Sequence, residues 1–177
     1  MIRDIQSIDD DIIRKKRIVE KMLYSDPDVV ELINNDKIDP ESPEDLVFEN
    51  IFPFIRVPST QDESRVFVTF SIDDNGRRAN NQVMKSQSVT FVIFVHKDMI
   101  KTAYGISRHD ALGYVIRDIF NLSNALGPQM ELESNHEGVA DVGYVTRTLS
   151  FVLIDDNSTK PLRTNPYEYG RIIGHRG

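Results

Sequence analysis

The stretch SVTFVIFVHKDMIKTAYGISRHDALGYVIRDIF, residues 88–120, decides the fold. In Ser88–His96, Val89, Phe91, Ile93 and Val95 alternate onto one face, while Val92 and Phe94 point to the other. Apolar residues on both faces predict a central strand covered on both sides. The period then changes. Ser107 opens a segment in which Leu112, Val115, Ile116, Ile119 and Phe120 recur at the spacing of an amphipathic helix. Ser107 and Asp110 stand at N-cap and N3 spacing, with Asp where a capping box usually has Glu. The helix, residues 107–122, is expected to pack on the strand.

His96, Asp98, His109 and Asp110 bracket the connection between strand and helix. They raise the question of a metal or acid–base site. A zinc site needs three or four converging ligands, and no HxH, HxxxH or HExxH spacing occurs; His136 and His175 stand alone in polar segments. Glu131 and Glu133 in "ELES" lack the lysine two residues on that nuclease metal sites commonly carry. No G-x-S-x-G elbow and no phosphate-binding glycine loop is present. The favoured reading makes the connection a surface-shaping turn, with the histidines as a cap and a surface donor. The expectation is therefore a protein with no catalytic residue, no metal and no cofactor.

Upstream of the central strand, RVFVTFSID places Val66, Val68, Phe70 and Ile72 on one face of a second strand. Between the two strands, residues 74–88 are polar and Asn-rich and are expected to form a long loop. Further back, Ile5, Ile8, Ile12, Val19 and Met22 predict an amphipathic helix over residues 8–24, with Asp9–Asp11 in its first turn. Its basic run Arg14–Arg17 reads as a solvated face. Pro27 fits the first position of a short second helix ended by Asn34 and Asn35. Ser42, Pro43 and Asp45 read as the start of another short helix, ended by Pro53.

Downstream, QMELES reads as a short strand and VGYVTRTLSFVLID as a long one. On the long strand Val145, Leu149, Phe151 and Leu153 share a face that Arg147 interrupts. The last 22 residues hold two prolines, three glycines and no period, so they read as an extended arm. The fold expected is α+β: a mostly antiparallel sheet of about four strands, one long helix on a face, N-terminal helices and a C-terminal arm. The corresponding segments are 1–42, 43–156 and 157–177.

The 177 residues fit one domain with a tail. Cysteine is absent, which rules out disulfides and thiolate metal sites. MIRDIQSIDDD has no apolar h-region, so no secretory signal is expected. No apolar run approaches the roughly 20 residues of a membrane span. The net charge of −7 does not suit a free-standing nucleic-acid binder. The charge is also uneven: residues 1–63 carry sixteen acids and eight bases, and residues 158–177 one acid and four bases. A basic tail on an acidic body suits docking on an acidic partner surface, a second copy of the chain included, and equally suits a disordered solvated tail.

The segments PEDLVFENIFPFIRVPSTQDESRVFVTFSID and VTFVIFVHKDMIKTAYGISRHDALGYVIRDIFN resemble neck proteins of tailed bacteriophages. They are most similar to small tail terminator and head–tail connector proteins of phages of Gram-positive hosts. The resemblance spans roughly residues 43–155 and rests on element order and on the HKD…YG.SR.D pattern. It implies a subunit of a ring, commonly a hexamer, that caps the tail tube. Its implied partners are other copies of itself, the tail tube protein and a head-side connector or stopper. Genomic DNA would pass through the lumen unbound, and no membrane is involved. The virion neck, assembled in host cytoplasm, is the implied location. An acidic ring suits this passage, because like charge removes the phosphate-binding term. The loop 74–88, with Arg77 and Arg78, and the arm, with Leu162, Arg163, Tyr167, Tyr169, Arg171, Ile172 and Ile173, are the expected interface. The alternatives are another neck component (adaptor or head-completion stopper) or a small metal-dependent hydrolase or nuclease around His96, Asp98 and His109.

Overall fold

A computed structural model describes residues 10–59, 65–78, 81–140 and 143–156, the side chains of 76–78, 81–84, 155 and 156 excepted. The chain is α+β. Helix α1 (Asp11–Ser25) and helix α2 (Pro27–Ile33) lead into a 3-10 turn at Pro43–Leu46 and a two-residue strand β1 (Ile51–Phe52). Strands β2 (Val66–Arg78) and β3 (Asn81–His96) follow, then a 3-10 turn at Lys97–Met99 and helix α3 (Arg108–Phe120). Strands β4 (Met130–Ala140) and β5 (Tyr144–Asp156) complete the order. The sheet has five strands in the order β1-β2-β3-β5-β4, antiparallel except where β1 pairs with β2.

The helix starts follow local chemistry. Asp10 caps α1 by accepting from the Ile13 amide at 3.0 Å. Asp26 caps α2 by accepting from the amides of Asp28 and Val29, Pro27 takes the first helical position, and Asn34 closes the helix in the left-handed region at φ 52°.

One face of the sheet carries the main core. Val66, Val68, Phe70 and Ile72 of β2, Val89, Phe91, Ile93 and Val95 of β3, and Leu149, Phe151 and Leu153 of β5 are all buried there. Cross-strand register explains the match: Phe70 lies beside Phe91, and Phe91 beside Leu149. All three helices contribute to this cluster: Val19 and Leu23 of α1, Val29, Leu32 and Ile33 of α2, and Leu112, Ile116 and Phe120 of α3. Phe91 is the hub, with ring centroids 4.9 Å from Phe120, 5.8 Å from Phe70 and 5.8 Å from Phe151.

Several sequence expectations need correction. The expected loop 74–88 is strand where it is described: residues 74–78 and 81–88 continue β2 and β3 as an antiparallel ribbon, with register shifts between Asp74 and Arg78, and β5 pairs along 84–88. Its polar residues pair through the backbone, 84–88 with β5 as well as β2, and Gln87 turns inward and is fully buried. The turn at Ser42 has no side-chain cap and stops at Leu46, so no helix runs on to Pro53. Instead Ile51 and Phe52 pair in parallel with Val68 and Thr69, a tertiary pairing that a local pattern does not announce. QMELES is the start of an eleven-residue strand, bulged between Leu132 and Ser134. The sheet thus has five strands where about four were expected.

β3 is central, as expected, but among the described residues its second face is covered over one end only. There Phe52, Phe67, Phe94 and Tyr144 form a small cluster, with the Arg56 guanidinium 4.6 Å above the Phe52 ring. Further along, this face carries hydroxyls: Thr69 donates to the Val92 carbonyl at 3.1 Å, and Thr90 lies 3.4 Å from Ser150.

Lys15 overturns the solvated reading of the basic run. It lies on the buried stripe of α1 with Ile12, Val19 and Leu23 and is fully buried. Its Nζ donates to Gln87 Oε1 at 2.5 Å and pairs with Asp11 at 2.9 Å. A run of four bases on a helix must send one around to the inner face, since 3.6 residues make a turn.

Candidate functional site

The connection between β3 and α3 groups the residues that raised the question of a reaction centre into two pairs, His96 with Asp98 and His109 with Asp110. His96 caps the turn at Lys97–Met99: its Nδ1 accepts from the Asp98 amide at 3.4 Å and lies 3.3 Å from the Asp98 carboxylate. One of the two histidines is thus a cap, as expected. His109 is not a surface donor. It is buried under β4, with Nε2 3.2 Å from Glu137 Oε1, and its Nδ1 has no hydrogen-bond partner among the described residues. Asp110 accepts from both Ser107 Oγ and Arg147 Nη1, and its carboxylate lies 3.8 Å from His109 Nε2. Glu131, Glu133 and His136 are exposed on β4. Among the described residues no group of three or more His, Cys, Asp or Glu is placed to hold a metal ion.

Arg147 interrupts the apolar row of β5 for a reason visible in the fold. It sits beside Ile93 and Glu137 under the start of α3, donates to Asn135 Oδ1 at 2.6 Å, and reaches Asp110. Gly113 leaves room for its stem: a Cβ there would lie 3.1 Å from Arg147 Cγ.

The YG.SR.D pattern builds a surface. Gly105 turns the backbone at φ 77°, where side chains are costly. Thr102 Oγ1 donates to the Ile106 carbonyl at 2.6 Å, and Lys101 bridges to Ser107. Arg108 then ties this loop to α2. Its Nε donates to Met99 O at 2.7 Å, Nη1 to Leu32 O at 2.7 Å, and Nη2 to Lys101 O at 3.4 Å. Desolvation lowers the Arg108 pKa, and the nearby Glu31 carboxylate opposes that shift. A cation against the last carbonyls of α2 is also favoured by the helix dipole.

The result is a groove of about 260 Å³ between α2 and α3. Leu32, Ile106, Ala111, Tyr114 and Val115 form apolar walls, and Asp28 and Glu31 stand at its edge. Tyr104, 62% exposed, hydrogen-bonds the Glu31 carboxylate through its hydroxyl, and that bond raises the phenol pKa. Tyr114 is 60% and Ile106 53% exposed.

A second exposed apolar surface flanks β1. Phe48, Phe54, Ile55 and Val57, on either side of β1 in the chain, are exposed, and Phe48 holds φ 66°. That backbone region is costly for a bulky residue.

Of the interface residues expected from the sequence, Arg77 and Arg78 lie in β2 opposite Lys85 and Asn81, and their side chains lie outside the described residues. Leu162, Arg163, Tyr167, Tyr169, Arg171, Ile172 and Ile173 lie outside the described residues as well. The groove residues were missed because Tyr104, Ile106 and Tyr114 sit off the helical stripe, where a lone apolar residue carries no signal. Their grouping depends on α2, far away in sequence.

Fold and surfaces together define a single-sheet α+β protein that keeps apolar side chains outside a completed core. The sequence model of the YomW family matches residues 16–153, so the chain belongs to the YomW family, a phage-derived family of the SPbeta-type Bacillus prophage. The match runs from α1 into β5. No curated protein matches the chain significantly.

Proposed function

We propose that this chain is a structural subunit of the phage neck, a tail terminator-like protein that assembles into a ring, hexameric by the resemblance, and catalyses no reaction. The ring caps the tail tube, meets the head-side connector and lets DNA pass. The observation that carries this reading is the pair of exposed apolar surfaces, the α2–α3 groove and the β1 flank, on a chain of phage-derived family. Apolar side chains grouped outside a completed core mark surfaces for other proteins. The net charge of −7 agrees with a lumen that does not hold DNA. The basic segment 158–177 adds a second mode of contact between subunits or neck proteins.

The test is assembly. The purified chain should form rings visible by negative-stain microscopy, and prophage particles lacking it should show tails of uncontrolled length, detached from heads. A chain that stays monomeric at high concentration and is missing from intact virions would sink the reading.

A further inference from the structure

We propose that the groove between α2 and α3 is the receptor for the C-terminal segment of a second copy of this chain, with Ile172 and Ile173 on its apolar walls and Arg171 against Asp28 and Glu31. This deepens the self-assembly reading above and rests on it.

The groove is built in advance of any partner. Arg108 pins the end of α2 to the loop at 99–101, and the Thr102 and Gly105 turn holds Tyr104 and Ile106 outward. A wall fixed this way loses little freedom on binding. The chemistry of the two sides matches. The groove has apolar walls with carboxylates at one margin. The sequence Arg171-Ile172-Ile173 offers two branched apolar side chains next to a cation, in a segment with four bases and one acid. An extended peptide in a preformed groove is a common mode of recognition.

Chain path favours a neighbour as the source. β5 ends at Asp156, paired with Met84 near the tip of the ribbon. The groove lies beside Ala111–Val115, at the level of Arg147, where Gly113 touches that side chain. Asp156 lies about nine strand residues, roughly 30 Å, beyond Arg147, so a segment entering its own groove must cover that distance back. A neighbour beyond the ribbon receives it without reversal.

The absence of cysteine makes the test direct. Full-length chains carrying Tyr114→Cys alone and Ile172→Cys alone, with different tags, are mixed under mild oxidation. The inference expects a disulfide between the two tags. In a separate experiment, Glu31→Arg and Arg171→Glu should each weaken self-association by at least about tenfold, as loss of a close interfacial charge pair does. Combining the two in one chain should restore most of it. A disulfide that forms only when both cysteines share one chain, and never between tags, overturns the second-copy assignment. Rings that persist without any cross-link, indifferent to both charge reversals, overturn the groove and leave the ring reading intact. A chain that never associates overturns both.

Discussion

Two charged residues behave unlike surface charges. Lys15 is fully buried, yet its ammonium has Gln87 and Asp11 as partners, so the charge is compensated. Lys15→Met keeps the volume of the stem and removes the donor. It should cost about 1–3 kcal/mol, because the buried Gln87 carbonyl then lacks its partner; a denaturant midpoint unchanged from the parent would show the bond to be worthless. Asp11 answers to pH. Burial tends to raise its pKa, but hydrogen bonds from Lys15, Arg14 and Gln87 and the Lys15 charge prevail and hold it well below the ordinary 3.8. A depressed folded value means Asp11 contributes stability above about pH 4 and loses it as pH falls toward the folded value. Asp11→Asn should therefore lower the melting temperature at pH 6 and lower it progressively less below pH 4. A penalty that stays constant from pH 6 to pH 2.5 would contradict that.

Among the elements, α3 does the most. Its inner stripe, Leu112, Ile116 and Phe120, is fully buried against β3 and β5, and its first turn organises Arg147 and the groove loop. Ile116→Ala should cost about 2–5 kcal/mol by loss of buried contacts and the cavity left behind. An unchanged melting curve would mean that the helix does not cover the sheet as described. Arg108→Met tests a different role of the same helix. It strands the carbonyls of Leu32, Met99 and Lys101 and should cost about 2 kcal/mol or more. Hydrogen exchange should then accelerate at the end of α2 and in the loop 99–107 while β3 stays protected. Uniform acceleration across the molecule would argue that Arg108 supports the whole core and not this joint.

At the scale of the molecule, α1 and α2 share one apolar cluster with the sheet, so they are expected to unfold with it. Among the described residues no helix is long and apolar enough to cross a membrane. The described residues enclose the apolar cluster without any contribution from residues 157–177. Deleting them should leave the unfolding transition of the monomer within about 0.5 kcal/mol, the range of changes remote from the core, while weakening assembly onto the tail or connector. If the truncated chain instead fails to fold, the segment belongs to the domain.

Much of this fold was legible along the chain. The alternation of Val66 to Ile72 and of Val89 to Val95 marked two core strands, and the stripe from Leu112 to Phe120 marked α3, because periodic burial writes itself into periodic sequence. Pro27 and Asn34 marked α2 at both ends for equally local reasons. What needed the tertiary structure was everything decided by partners distant in sequence. Ile51 and Phe52 are strand only because β2 lies beside them. Residues 74–78 and 81–88 are strand because β2, β3 and β5 satisfy one another's backbone there. Lys15 is inside because Gln87, 72 positions away, waits for it. The groove was illegible for the same reason: Glu31, Tyr104 and Tyr114 become neighbours only when α2 and α3 pack on one face of the sheet, and a one-dimensional pattern carries no record of that meeting.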